Sequence, residues 1–338
     1  MVINVLRRRS RRRLRAGDVV EVRPAAEILA TLESDGSVDR LPFMPEMLQF
    51  SGSRFTVENR ADTTCFWGGL RRLDRSVHLD GVRCDGSAHG GCQAGCLIFW
   101  KEEWLRPVDG PAGGPPVQTA APRRRARATE DDLLRATRRP PTDDGEERWS
   151  CQATELPAAT GKIHHWDLRH FVGDVRNGNL RWRTVLRYVV PYLFNTYQGH
   201  SRRLPRRLQI HGGAPFPWVH GALDRTPRIT LGLRPGEEVR VRSREEIRTT
   251  VDRGGLNRGL SFDPEMLPYC GTDRRVQRRV ERIIDEFTGE MLTLRGDCVV
   301  LEGAVCTGRY HGLCTRRTDT YWREAWLERT ADDRAGAG

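Results

Sequence analysis

Two stretches of the chain alternate polar and apolar residues directly after a glycine. They are GDVVEVR at 17–23 and GEEVRVR at 236–242. Period-two alternation after a turn residue predicts a half-buried strand. The likeness continues at a constant offset of 219 through residue 57, with Val20, Val22, Glu27, Ile28 and Thr31 answered by Val239, Val241, Glu246, Ile247 and Thr250. Leu41, Phe43, Pro45, Glu46 and Met47 are answered by Leu260, Phe262, Pro264, Glu265 and Met266. After a three-residue insertion the offset is 222. LDGVRCDGSAHGGC (79–92) then answers LEGAVCTGRYHGLC (301–314), and FWKEEWL (99–105) answers YWREAWL (321–327). A repeat of this size is a small domain occurring twice.

The pattern predicts a mainly β, α+β protein. Two small SH3-like β-barrel units, 16–106 and 235–330, flank a helical middle region and are related by approximate two-fold symmetry. Val276 to Leu294 reads as a hairpin around Thr288-Gly289. Trp100 and Trp104, like Trp322 and Trp326, are four apart, which fits one face of a short helix. Between the units, 107–148 has the Pro, Gly and Arg content of a linker. The region 149–234 carries helical spacing from His165 to Gln198, interrupted by Gly178 and Pro191, and ends in a proline-rich irregular arm. Residues 1–15 and 331–338 read as disordered tails.

Charge changes the picture only locally. Seven arginines between Arg7 and Arg15 and four between Arg123 and Arg127 equal the whole formal net charge of +11. The remainder reads as neutral, so nucleic acid is expected as a partner only through the arginine tail. No apolar run approaches the ~20 residues of a membrane span, so no membrane partner is expected. The first residues lack the order of a secretory signal, which places the chain in the cytoplasm. Nine cysteines then require a reason other than disulfides.

The recurring string Cys-x4-His-x2-Cys supplies one. Cys84, His89 and Cys92 in unit one match Cys306, His311 and Cys314 in unit two. Thiolates and imidazole at short spacing suit tetrahedral zinc, with iron as the alternative. Cys96 and Cys65 are further candidates in unit one and Cys298 in unit two. Glu46 and Glu265 read as turn residues or as a carboxylate pair between the units. Cys270 reads as a core residue. Cys151 stands apart and becomes a nucleophile only if a histidine such as His164 or His165 approaches it.

LPFMPEML, VRCDGSAHGGCQAGCLIFWKEEWL, CQATEL and YWREAWLER resemble a family of uncharacterised, internally duplicated bacterial proteins from specialised-metabolite and polysaccharide gene neighbourhoods. The chain departs from the repeat where Ser51-Gly52 stands opposite Cys270-Gly271. The opening strand of each unit also resembles that of SH3-like and KOW-type barrels. The resemblance implies a biosynthetic setting, with an unidentified partner or substrate. Three functions follow: a metal-binding enzyme or accessory factor, a nucleic-acid binder built on tandem β domains, or an adaptor with structural cysteines. No Walker loop, dinucleotide fingerprint, nucleophile elbow or HExxH helix occurs.

Overall fold

The computed structural model describes residues 13–67, 69–113, 128–294 and 297–330. Of the expected tails 1–15 and 331–338, residues 1–12 and 331–338 lie outside the described residues, as does 114–127 within the expected linker, whereas Leu14 is buried in the unit-one core and so belongs to the fold. The protein is α+β, with more strand than helix. In unit one, β1 (Val19–Val22), β2 (Arg54–Arg60), β5 (Ser76–Leu79), β6 (Trp100–Lys101) and β7 (Leu105–Pro107) form one antiparallel sheet in the order β6-β5-β2-β1-β7. A hairpin of β3 (Thr64–Phe66) and β4 (Gly69–Arg72) leaves it. In unit two, β8 (Glu238–Val241), β9 (Asp273–Arg279), β12 (Cys298–Val305), β13 (Asp319–Arg323) and β14 (Leu327–Arg329) pair in the order β13-β12-β9-β8-β14. The second hairpin is β10 (Arg282–Ile284) with β11 (Met291–Thr293).

The two sheets agree in register as well as in order. Val20 faces Phe55 and Pro107, and Val239 faces Arg274 and Arg329. A bulge falls between Val57 and Asn59 in one and between Val276 and Arg278 in the other. Each such pair of positions differs by the offset read from the sequence. Val20 and Val239 are both fully buried.

The tryptophans form the centre of what each sheet packs on. Trp100, Trp104, Trp322 and Trp326 are all fully buried. Phe43 stands edge-on to Trp104 at 5.1 Å between centroids, and Phe262 to Trp326 at 5.2 Å. Such aromatic pairs add about 1 kcal/mol to their area burial. The expected short helix is instead a strand followed by a 3-10 turn: Trp100 lies in β6 and Trp104 in the turn Glu102–Trp104. The strand places the first indole in the core, and the tight turn brings the second back to the same side. Beside it lies a buried ion pair. Arg60 donates to Glu102 at 2.5 Å and to the Leu14 carbonyl at 2.6 Å. Arg279 donates to Glu324 and to the Leu233 carbonyl, both at 2.7 Å.

The linker expectation for 107–148 needs correction. After the short helix α1 (Ala25–Leu29) of unit one, Thr129 caps the helix α2 (Glu130–Ala136) through Asp132, and Leu133 is buried in the unit-one core. Leu133 is the one residue this two-turn helix buries, and the Thr129–Asp132 cap satisfies its first amides. In the middle region, α3 (Gln152–Ala159), α4 (Arg169–Arg176) and α5 (Trp182–Ser201) follow. Gly178 separates α4 from α5, whereas Pro191 lies inside α5. The irregular arm ends in the unit-two core through Val219 and Leu233.

His78 separates the two sheets chemically. It is fully buried, its Nδ1 lies 2.9 Å from the Ile98 carbonyl, and its Nε2 has no partner. Burial pushes it down from its ordinary 6.5 to about 3. The folded state therefore binds fewer protons than the unfolded chain between those values. Stability from this group is complete above pH 6.5 and falls as pH drops, by up to about 1.4 kcal/mol per unit. Unit two carries Val300 at the matching position. His78→Val is expected to flatten the acid-side decline of the guanidinium midpoint between pH 6.5 and 4, compared with the parent chain.

Candidate metal centre

Each Cys–His string folds into the same tight loop. Gly86 has φ of +71° and Gly308 of +68°. A Cβ on Gly86 would lie 2.0 Å from the Cys92 carbonyl oxygen, and one on Gly308 would lie 2.6 Å from the Cys314 nitrogen. Only glycine permits that approach. The loop amides of His89 and Gly91 donate to the Gly86 carbonyl, as those of His311 and Leu313 do to Gly308.

A carboxylate from the preceding 3-10 helix fixes each loop. Glu46 lies in Pro45–Phe50 and Glu265 in Pro264–Tyr269, and both side chains are buried. Glu46 Oε1 accepts from the Ala88 amide at 3.0 Å and faces His89 Nδ1 at 2.5 Å. Glu265 accepts from Tyr310 N at 2.7 Å and from Thr307 N and Oγ1. Two groups result, Glu46–Cys84–His89 and Glu265–Cys306–His311, whose ligand atoms all lie within 4.8 Å of one another. The two glutamates therefore serve their own loops and do not pair across the units. The sequence signal for them was the repeated Pro-Glu-Met, which carries no ligand spacing.

The other expected ligands distribute differently. Cys92 and Cys96 are in neither group. They line a small cavity of about 40 Å³ with Cys84, His89 and Cys151, closed by Met44, Phe99 and Ile284. Cys92 Sγ accepts from Ile284 N at 3.4 Å, which holds it toward the hairpin of unit two. Cys151 arrives there because its neighbour Gln152 hydrogen-bonds both backbone groups of Phe99 and the Pro42 carbonyl. His164 and His165 stack on each other at 4.3 Å, and His165 lines a different cleft with His200. The structure therefore brings Cys151 to His89 and not to His164 or His165.

Cys65 belongs to the opposite loop from the one expected. The neighbouring Cys314 thiol, helped by Arg316 and His311 against burial, draws the Cys65 thiol down to about 7. Cys314 is raised in consequence. β3 reaches unit two because Thr315 donates to the Arg60 and Thr63 carbonyls. Cys298 joins neither group. It lies buried in β12, packed with Val280 and Val300. Cys270 is half-buried against the unit-two core.

The groups differ in access and in charge. In unit one, His89 Nε2 lies 3.0 Å from the Ser150 carbonyl, and Trp149 covers Gly90. In unit two, His311 Nε2 is 3.7 Å from Asp263, and His311 borders a cleft of about 630 Å³. Burial, then Glu46 and Cys96, push the Cys84 thiol far above its ordinary value. Burial does the same to Cys306, and lifts Cys96 to about 12 and Cys151 to about 11. Glu46 Oε2 is buried with no hydrogen-bond partner. An orphaned carboxylate oxygen beside a thiol and an imidazole is the donor set a soft divalent cation satisfies.

No protein-family model, curated protein or solved structure matches the chain.

Glu46→Ala removes the acceptor for Ala88 N and the partner of His89 at once. Leaving a buried donor without its acceptor costs roughly 1–3 kcal/mol. The expected result is a lowered denaturation midpoint, with hydrogen exchange accelerated first at residues 86–92. Unchanged exchange there would remove Glu46 as the loop's anchor.

Proposed function

We propose that the chain is a zinc-binding protein with one site organised on each Glu–Cys–His group. The observation that carries this reading is the recurrence of a buried glutamate, a cysteine and a histidine within 4.8 Å at matching positions of both units. Cys92, Cys96 and Cys151 adjoin the first site and enrich it in thiols. Mixed sulfur, nitrogen and carboxylate donors suit zinc better than magnesium or calcium, which take oxygen. A covered first site fits a structural ion, and the second, bordering a cleft, fits an ion with an open position. The shared strand order supports reading each unit as an SH3-like barrel. The resemblance to proteins of biosynthetic gene neighbourhoods supports a role there as an enzyme or accessory factor.

Elemental analysis of the purified full chain tests the reading. About two zinc ions per chain are expected, falling by one in Cys84→Ser and by one in Cys306→Ser. Metal-free protein from zinc-supplemented cells, with nine titratable thiols, would end it. Because each thiol must lose its proton to bind, zinc affinity should weaken as pH falls.

A further inference from the structure

The exposed side of α5 is apolar where a surface helix is ordinarily polar. Trp182, Leu186 and Val190 recur every fourth residue and are 52%, 70% and 66% exposed. Tyr197 continues the same face one turn beyond Leu193. The face does not end with the helix. Tyr197 Oη donates to the Leu208 carbonyl at 3.2 Å, which brings Leu208 to its lower end, and Leu204, Leu208 and Ile210 are exposed as well. The opposite side of α5 is accounted for, since Val185 and Tyr192 are buried with Phe171 and Leu313.

The charge along the segment that carries this face has one sign. From Val175 to Leu223 the chain holds eight arginines and neither aspartate nor glutamate. Among the described residues, none of those arginines is ion-paired. Arg183 and Arg187 flank the apolar stripe on the same exposed side of α5. Arg203, Arg206 and Arg207 sit among the exposed leucines of the arm. The overall neutrality outside the arginine tracts thus hides a folded basic surface, offset by acids elsewhere.

We propose that this face of α5 and the arm after it rest on an anionic lipid bilayer, with the apolar side chains entering the acyl boundary and the arginines meeting the phosphates. Exposed Trp and Leu bordered by Arg are the features that hold an amphipathic helix in the plane of the interface. Each basic residue near an acidic leaflet adds favourable attraction. Aliphatic Leu186, Val190 and Leu208 have no use on a nucleic acid, which would ask for stacking aromatics instead. No helix of the described residues is long and apolar enough to cross a membrane, so the contact is peripheral.

The test is co-sedimentation of the full chain with vesicles of phosphatidylcholine alone and of phosphatidylcholine mixed with phosphatidylglycerol. The parent chain should bind the mixed vesicles far more tightly than the neutral ones, and more weakly as salt rises. The terminal arginines attract acidic vesicles by charge alone, so the decisive comparison is Leu186→Glu/Val190→Glu with that tail intact. This variant should bind ~tenfold more weakly or worse. Equal binding by parent and variant would overturn the proposal, as would a duplex DNA that displaces the vesicles while binding both proteins alike. Should the double variant fold poorly, brominated lipid decides on the parent fold. It should quench fluorescence that Trp182→Phe removes, and quenching unchanged by Trp182→Phe would equally overturn the proposal.

Discussion

Backbone and sulfur groups of each Cys–His loop need partners that their own sheet does not supply, and the hairpin of the other unit supplies them. Gln93 N donates to the Arg282 carbonyl, and Gln93 Oε1 accepts from Glu281 N and Arg282 N. Arg278 reaches the carbonyls of Gln93 and Ala94 and closes on Asp319. In return, Thr315 and Arg316 bind the backbone of β3 and its approach. The exchange joins the two units through polar groups whose bonds are buried at Thr315 and part-buried at Arg278 and Arg316, and such groups are costly when left unmatched. The units are therefore expected to be stable together and poorly formed apart. Arg316, fully enclosed and paired with Glu286, stands between the two thiol clusters as part of the same joint.

The repeated strands, the tryptophan pairs and the two Cys–His loops were legible because each signal is local or is written twice. Alternation marks β1 and β8, and the offsets of 219 and 222 are the offsets of their matching registers. Glu46 was not legible as a partner of His89 because the contact spans 43 positions, and a glutamate at the start of a turn has many ordinary uses. Cys151 was read as isolated for the same reason. Its position follows from Gln152 plugging the edge of unit one beside Phe99, a contact no periodicity announces. The destination of Cys65 was misread because a hairpin was assumed to fold on its own unit. Residues 128–148 were misread because average composition hides a single buried Leu133.

Duplication followed by divergence has left the two loops unequal in a chemically directed way. The tight turn, the glutamate, the histidine and two cysteines are held in common. Cys96 is matched by Thr318, and Cys65 by Ile284, while Cys151 comes from outside the repeat. Ile284 faces Cys92 through its amide, where Cys65 faces Cys314 through a thiol. The first loop has thus collected Cys96 from its own continuation and Cys151 from the start of α3, and the second has taken one thiol from its neighbour and kept an opening toward solvent.

The same asymmetry explains why the middle region is helical and why its outer side is unusual. The loop of unit one is covered by Trp149, whereas Tyr192 of α5 and Leu70 of β4 crowd Gly312 in unit two. α5 therefore owes its place to one buried edge, which uses Val185 and Tyr192 and leaves the far side unconstrained by packing. Solvent alone would select polar residues on that side, because exposed apolar area brings no folding stability and favours aggregation. Leu186 and Val190 stand there in a segment, 175–223, that carries eight arginines and no acid. An unconstrained side with so consistent a pattern has the character of a surface shaped by what it meets.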